Sequence, residues 1–145
     1  EDNLIFFSNY ESHKAQNFKD NDKVCINFWW PNIEVQVRIE GTISKCEEKF
    51  SDEHFQGRKP EKNVAALVSE QSKKIESYDL LKQKYEAMKE RIENGDYSHS
   101  RPDNWGGYQI KVHFFEFWEA NDDRLNYREC YEKDNESWSK YFLQS

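Results

Sequence analysis

The chain reads as an α+β domain built on an antiparallel sheet or barrel, and three features of the sequence predict it. Short runs of period-two alternation mark half-buried strands. Helix-spaced apolar stripes stand between them. No strand–helix–strand alternation and no glycine-rich phosphate loop occurs, which sets aside a parallel, doubly wound nucleotide fold.

Taken in order, Leu4 to Phe7 reads as a buried strand, and Ser12 stands where an N-cap would precede a short helix reaching about Asp20. Val24 to Trp30 is a second strand, stopped by Pro31. The clearest strand is Ile33 to Cys46, in which Ile33, Val35, Val37 and Ile39 alternate with Glu34, Gln36, Arg38 and Glu40. Gly41 suggests a bulge or bend there.

Glu47 to Gly57 looks helical, and Pro60 is placed to open the next helix, over Glu61 to Ser69. Ser77 is placed to cap a longer helix through Glu93, with the stripe Leu81, Tyr85, Met88 and Ile92 and with Gly95 as its end. A polar loop to Pro102 follows. Tyr108 to Glu119, Arg124 to Glu132 and Ser137 to Leu143 complete the strands, the last pair joined by a turn at Asp134-Asn135.

At 145 residues the chain fits one domain. Only 36% of residues are hydrophobic, but 16% are aromatic, so a few large rings supply much of the buried area. A formal net charge of −7 provides no basic footprint for nucleic acid. No apolar run approaches the ~20 residues that span a bilayer, and no signal-peptide pattern opens the chain. Cys25, Cys46 and Cys130 are odd in number and scattered, as free thiols in a reducing compartment would be, and a cytoplasmic location is expected. The four histidines lack metal-ligand spacing, so no metal is expected. The chain opens at Glu1, without methionine, almost directly into a strand, which suggests a fragment or a processed chain.

Several residues could carry chemistry. His13 and Lys14 place two basic side chains in the first turn of a helix, against its dipole. An anion such as phosphate at the helix start would remove that conflict, and the plainer alternative is a solvated charged turn. If Arg124 to Arg128 is a strand, Arg124, Asn126 and Arg128 share one face, which suits a phosphate or an electron-rich ring, or else exposed ion pairs. Gly106 and Gly107 lie between Trp105 and Tyr108, as close backbone approach would require. Gln36 faces the polar side of the best strand. With no catalytic triad in sight, hard chemistry would fall to a cofactor.

These segments occur together in an order that resembles the pyridoxamine 5'-phosphate oxidase family. Phe6-Phe7-Ser8-Asn9-Tyr10-Glu11-Ser12-His13-Lys14 is similar to F-[YF]-T-N-x-x-S-R-K, and Val35 to Gly41 to R-Q-V-R-V-E-G. Phe55 to Arg58 resembles Y-F-x-S-R-P, and Val68 to Ser72 the S-x-Q-S turn. Trp105 to Tyr108 matches W-G-G-[YF], and Glu116-Phe117-Trp118 with Arg124 to Arg128 resembles E-F-W followed by R-L-H-D-R.

The resemblance implies an FMN-binding split β-barrel with flanking helices, in one domain over 1–145 with a C-terminal dimerisation region at about 103–145. It implies a homodimer with FMN at the subunit interface. Phe7, Ser8, His13, Lys14, Gln36, Gln71, Ser72, Trp118 and Arg128 would then contact FMN. Arg58 would hold the substrate phosphate, and Arg124 would lie beside the reacting carbon as the catalytic residue. Asn126, His54 and Lys62 occupy further substrate positions. The implied reaction oxidises pyridoxamine or pyridoxine 5'-phosphate to pyridoxal 5'-phosphate, with oxygen reduced to hydrogen peroxide. His13 replaces a family arginine, Val35 another, Asn126 a histidine, Tyr127 an aspartate and His54 a tyrosine, while Lys62 stands at a serine position. The family's N-terminal R-x-V-L-L-K strands are expected upstream of Glu1. A relative that keeps the fold and binds flavin or vitamin B6 phosphate, without catalysis or with another substrate, is the alternative.

Overall fold

The computed structural model describes residues 3–97 and 100–145; His99, one of the dispersed histidines, lies outside them. The elements are β1 (Asn3–Asn9), α1 (His13–Asp20), β2 (Lys23–Trp30), β3 (Val35–Lys45), α2 (Glu48–Gly57), α3 (Pro60–Val68), α4 (Tyr78–Glu93), β4 (Trp105–Glu119), β5 (Tyr127–Asp134) and β6 (Ser137–Phe142). The sheet runs β2-β3-β4-β5-β6, with β1 paired to β4 off that path. The β2–β3, β4–β5 and β5–β6 pairings are antiparallel, and the α+β class holds.

The chain forms two compact units. One comprises Asn21–Ser44 and Gln109–Ser145 together with the start of β1. Its core is a set of alternate strand residues: Val37, Ile39 and Ile43 of β3, Ile110, Val112 and Phe114 of β4, and Cys130 of β5. The period-two pattern of β3 and β4 places these on one face and Gln109, Lys111 and His113 on the other. Gly41 marks close packing: a Cβ there would sit 2.4 Å from Ile110 Cγ2 and 2.8 Å from the Lys111 carbonyl oxygen. The expected bulge is absent on the β2 side, where pairing runs unbroken from Lys23–Thr42 to Trp30–Val35.

The other unit comprises Ile5–Asp20 and Lys45–Tyr108. Phe55 of α2, Val64 of α3, and Trp105 and Tyr108 of β4 are buried in it. The paired glycines work as expected. A Cβ on Gly106 would lie 2.1 Å from the Tyr10 hydroxyl, and one on Gly107 would lie 2.9 Å from Cys46 Sγ. That thinness lets the Gly107 N–H reach Ser51 Oγ at 3.0 Å. Pro60 opens α3, and the Ser77 side chain caps α4 by accepting from the Leu80 N–H at 3.1 Å. Gly95, at φ 76°, ends that helix in a conformation that suits glycine. No helix among the described residues is long and apolar enough to cross a membrane.

Three local expectations need correction. The alternation of β3 does not extend back to Ile33, which is 58% exposed in a turn where its N–H bonds the Trp30 carbonyl and Glu34 takes φ 53°. Closing the β2–β3 hairpin needs that left-handed residue, so the strand starts at Val35. The strand expected from Arg124 starts at Tyr127: Arg124 has φ 63°, and its N–H bonds the Asn121 carbonyl at 3.0 Å. Arg124 therefore does not share a strand face with Asn126 and Arg128. Ser12 does precede α1, but its hydroxyl is buried and has no hydrogen-bond partner among the described residues, so it caps by position alone.

Candidate functional site

Three groups of polar side chains emerge from this framework. The first lies where β1 ends and α1 begins. Lys14 Nζ donates to Ser8 Oγ at 3.1 Å, and the Ser8 hydroxyl donates to Gln71 Oε1 at 3.1 Å. The Gln71 oxygen also receives the Asn9 N–H at 3.2 Å. Across the same turn the His13 N–H reaches Ser72 Oγ at 3.2 Å. Ser72 has φ 73°, a left-handed conformation that shapes the loop after α3. Ser8, His13, Lys14, Gln71 and Ser72 thus come together from three segments of the chain. The buried Ser12 hydroxyl lies between His13 and the end of β1 in sequence, still without a partner.

The second group is built on Trp105. Phe7 of β1 stacks on Trp105, with ring centroids 5.4 Å apart, and on His54, with centroids 3.5 Å apart and planes 7° apart. The Arg58 guanidinium lies 4.6 Å over the Trp105 ring. Arg58 Nη2 donates to the Lys62 carbonyl at 3.2 Å, while Nη1 is buried and has no partner among the described residues. Burial lowers the pKa of Arg58; burial and then the Arg58 charge lower that of His54. The Lys62 side chain is exposed, and its carbonyl rather than its ammonium meets Arg58.

The third group lines a hollow of about 340 Å3 formed by Gln36, Arg38, Glu116, Trp118, Asn126, Arg128 and Ser145. At its floor is Glu116, which is 3% exposed. Arg128 Nε donates to Glu116 Oε1 at 2.5 Å, and Arg38 Nε donates to Oε2 at 2.9 Å. Burial pushes the Glu116 carboxyl up, but hydrogen bonds and charge from Arg128 and Arg38 outweigh it and hold the group below its ordinary value. Arg38 also pairs with Glu40. Arg128 Nη1 reaches the Gln144 carbonyl at 3.1 Å. Asn126 contributes to the hollow, and its Oδ1 accepts the Asn121 N–H at 3.2 Å.

Of the residues singled out from sequence, Phe7, Ser8, His13, Lys14, Gln71, Ser72, His54 and Arg58 fall in the first two groups. Gln36, Trp118, Asn126 and Arg128 fall in the third. Arg124 joins none of the three; it is exposed in the turn before β5. Arg38, Glu116 and the platform role of Trp105 were not anticipated. Arg38 and Glu116 stand two residues from Gln36 and Trp118, on the same strand faces, and that spacing was the available signal.

Comparison with known proteins accounts for this arrangement. Residues 1–91 match the sequence profile of a family described as pyridoxamine 5'-phosphate oxidase. Residues 105–145 match one described as the pyridoxine 5'-phosphate oxidase C-terminal dimerisation region. A pyridoxine/pyridoxamine 5'-phosphate oxidase of Colwellia psychrerythraea is 37% identical over 97% of this chain, and pyridoxine/pyridoxamine 5'-phosphate oxidase 2 of Hydrogenovibrio crunogenus is 38% identical over 99%. The chain spans 64% and 66% of those two relatives' lengths. Among solved structures, PhzG from Burkholderia lata, in complex with tetrahydrophenazine-1-carboxylic acid, superposes with a TM-score of 0.82 at 26% identity, over 97% of this chain and 68% of that one. A pyridoxamine 5'-phosphate oxidase-related, FMN binding protein from Nostoc punctiforme shares the fold, with a TM-score of 0.73 at 13% identity, over 99% of this chain and 73% of that one. The match over residues 1–91, joined to the second over residues 105–145, makes this chain a member of the pyridoxamine 5'-phosphate oxidase family.

Proposed function

We propose that the protein is an FMN-dependent oxidase acting on pyridoxine or pyridoxamine 5'-phosphate. The observation that carries this reading is the network joining Lys14, Ser8 and Gln71, beside the His13–Ser72 contact. An ammonium, hydroxyls and a backbone N–H at the start of a helix form the donor set that a phosphate monoester needs. In the third group, Trp118, Gln36 and Arg128 offer an aromatic surface, an amide and a guanidinium, which suit a flat, polar ring system. Each group, taken by itself, offers chemistry that suits one part of FMN: the first its phosphate, the third its ring system.

When bound, FMN would supply hydride-accepting chemistry, with oxygen as the final oxidant and hydrogen peroxide as the by-product. The chain's own residues bind and orient. Arg58 is the group for the substrate phosphate, because its buried Nη1 is a charged donor without an acceptor. Trp105 holds that guanidinium from one side, and the Lys62 carbonyl fixes its other nitrogen. Glu116 fixes Arg128 and Arg38 in the third group. Two copies would pair through the C-terminal region at about 103–145, in keeping with the family description of residues 105–145.

A second reading is a family member with a different substrate. Asn126, at the family's histidine position, spends its carbonyl oxygen on the Asn121 N–H, and Arg124 stands in the turn beside it. The PhzG likeness favours this reading over loss of function. The purified protein is to be titrated with FMN, following flavin fluorescence and the visible spectrum, and then assayed for peroxide with both vitamin B6 phosphates. Failure to bind FMN removes both readings. Binding with no turnover of either phosphate leaves the second.

A further inference from the structure

We infer that the corner formed by Arg58 and His54 at the end of α2 binds a phosphoryl group together with a proton, which His54 takes up. This rests on the reading that Arg58 holds the substrate phosphate.

The geometry joins the two side chains. His54 lies in the last turn of α2, and Arg58 is its C-cap. Both lie against the same indole: the His54 ring is stacked 6.3 Å from Trp105, and the Arg58 guanidinium is 4.6 Å over it. The buried Nη1 of Arg58 has no acceptor among the described residues, and a buried charged donor calls for one. An anion that supplies it must sit within the field felt by His54.

The surroundings of His54 decide the sign of that field. From β1 it meets Phe7, and from β4 it meets Trp105, neither of which is charged. On its own helix, Glu53 pairs with Lys49 at 3.9 Å. Lys59 and Lys62, which follow α2, are exposed. His54 is exposed at the surface; the partial burial it has, and then the charge of Arg58, lower its pKa from the ordinary histidine value. A divalent anion seated on Arg58 more than cancels the guanidinium. Repulsion of a proton at His54 then becomes attraction, and the stacked ring gains its proton without moving. The ligand class is the phosphate monoester, bound more tightly as pH falls through the histidine range. A tyrosine at this position, as the family has, would hold a phosphate without that dependence.

Inorganic sulfate is the probe, because it stays doubly charged throughout that range. The His54 imidazole C–H resonance is followed by NMR through a pH titration of the purified protein, with and without sulfate, and assigned by its loss in His54→Tyr. Sulfate should raise the His54 midpoint, and its affinity should tighten by about tenfold between about pH 8 and about pH 6. In His54→Tyr, sulfate should still bind at the higher pH, with the pH dependence flattened. Arg58→Lys should weaken binding and reduce the shift together. Arg58-dependent sulfate binding that leaves the His54 midpoint in place overturns the proton coupling alone. Sulfate binding that Arg58→Lys does not change overturns the coupling and the phosphate assignment with it.

Discussion

Arg128 Nε bonds Glu116 Oε1 at 2.5 Å, while the other oxygen of the same carboxylate takes Arg38. One buried acid thus sets the position of two guanidiniums that line the third hollow. Because the arginine side chains remain 28% and 33% exposed, removing the acid lets them rehydrate in part. Glu116→Gln should therefore destabilise the fold by about 2 kcal/mol, below the usual penalty for breaking a fully buried pair. Urea unfolding at neutral pH measures it, and an unchanged midpoint would show that the pair is not coupled to folding.

The same carboxylate gives a pH dependence with a definite sign. Its folded pKa lies below the ordinary value of 4.5, so the unfolded chain binds the proton first as pH falls. The stability contributed by Glu116 is complete above that value and is lost as pH drops through the lowered folded one. Acid unfolding of Glu116→Gln, compared with the parent below about pH 4.5, should show a shallower loss of stability. A parallel curve for the two proteins would contradict this.

Glycines supply a test of packing in each unit. At Gly41 an added Cβ meets Ile110 Cγ2 at 2.4 Å and the Lys111 backbone oxygen at 2.8 Å, and a backbone atom cannot swing aside. Gly41→Ala should destabilise by about 1–3 kcal/mol. Gly57, at the end of α2, has nothing within 4 Å of its added Cβ. Gly57→Ala should be neutral or stabilising, by up to about 1 kcal/mol. Thermal unfolding of the two variants separates a steric cause from a general intolerance of alanine.

How far the sequence disclosed all this depends on the range of the forces involved. Alternation disclosed β3 and β4 because burying one face of a strand is a local pattern, visible in Val37, Ile39, Ile110 and Val112. Helix starts at Pro60 and Ser77 were legible because capping is local as well. Ile33 and Arg124 were misread because alternation continues through a turn whose left-handed residue has no composition signal; Glu34 and Arg124 are not glycines. The Glu116 pairing with Arg38 and Arg128 joins three strands, and a single sequence does not show which distant side chains meet. The resemblance placed Arg128 and Gln36 in a shared site, but it was silent on the acid that orients the arginine.

The helix α4 depends on one cap. None of its residues is buried, and it packs on α3, where the Tyr85 hydroxyl donates to the Glu61 carbonyl at 3.2 Å. The Ser77 hydroxyl satisfies the Leu80 N–H at 3.1 Å. Ser77→Ala should cost about 1 kcal/mol. Amide exchange should show the loss concentrated in the first turn after Ser77, and uniform acceleration across the molecule would argue against a local role.

Arg128 and Arg124, which the sequence places on one face, should separate in experiment. Arg128 is in the hollow, held by Glu116 and by the Gln144 carbonyl, whereas Arg124 is exposed in a left-handed turn. Arg128→Ala removes a fixed guanidinium from a site proposed for a flavin and should weaken FMN binding by tenfold or more, about 1.4 kcal/mol. Arg124→Ala should leave flavin affinity within about twofold, since a change of about 0.5 kcal/mol is the usual ceiling for an exposed side chain without partners. It should reduce turnover if the side chain reaches the substrate from the turn. Flavin titration and peroxide release, measured on the same preparations, distinguish the two roles. Equal flavin loss in both variants would return Arg124 to the cofactor side, and normal turnover in Arg124→Ala would remove it from catalysis.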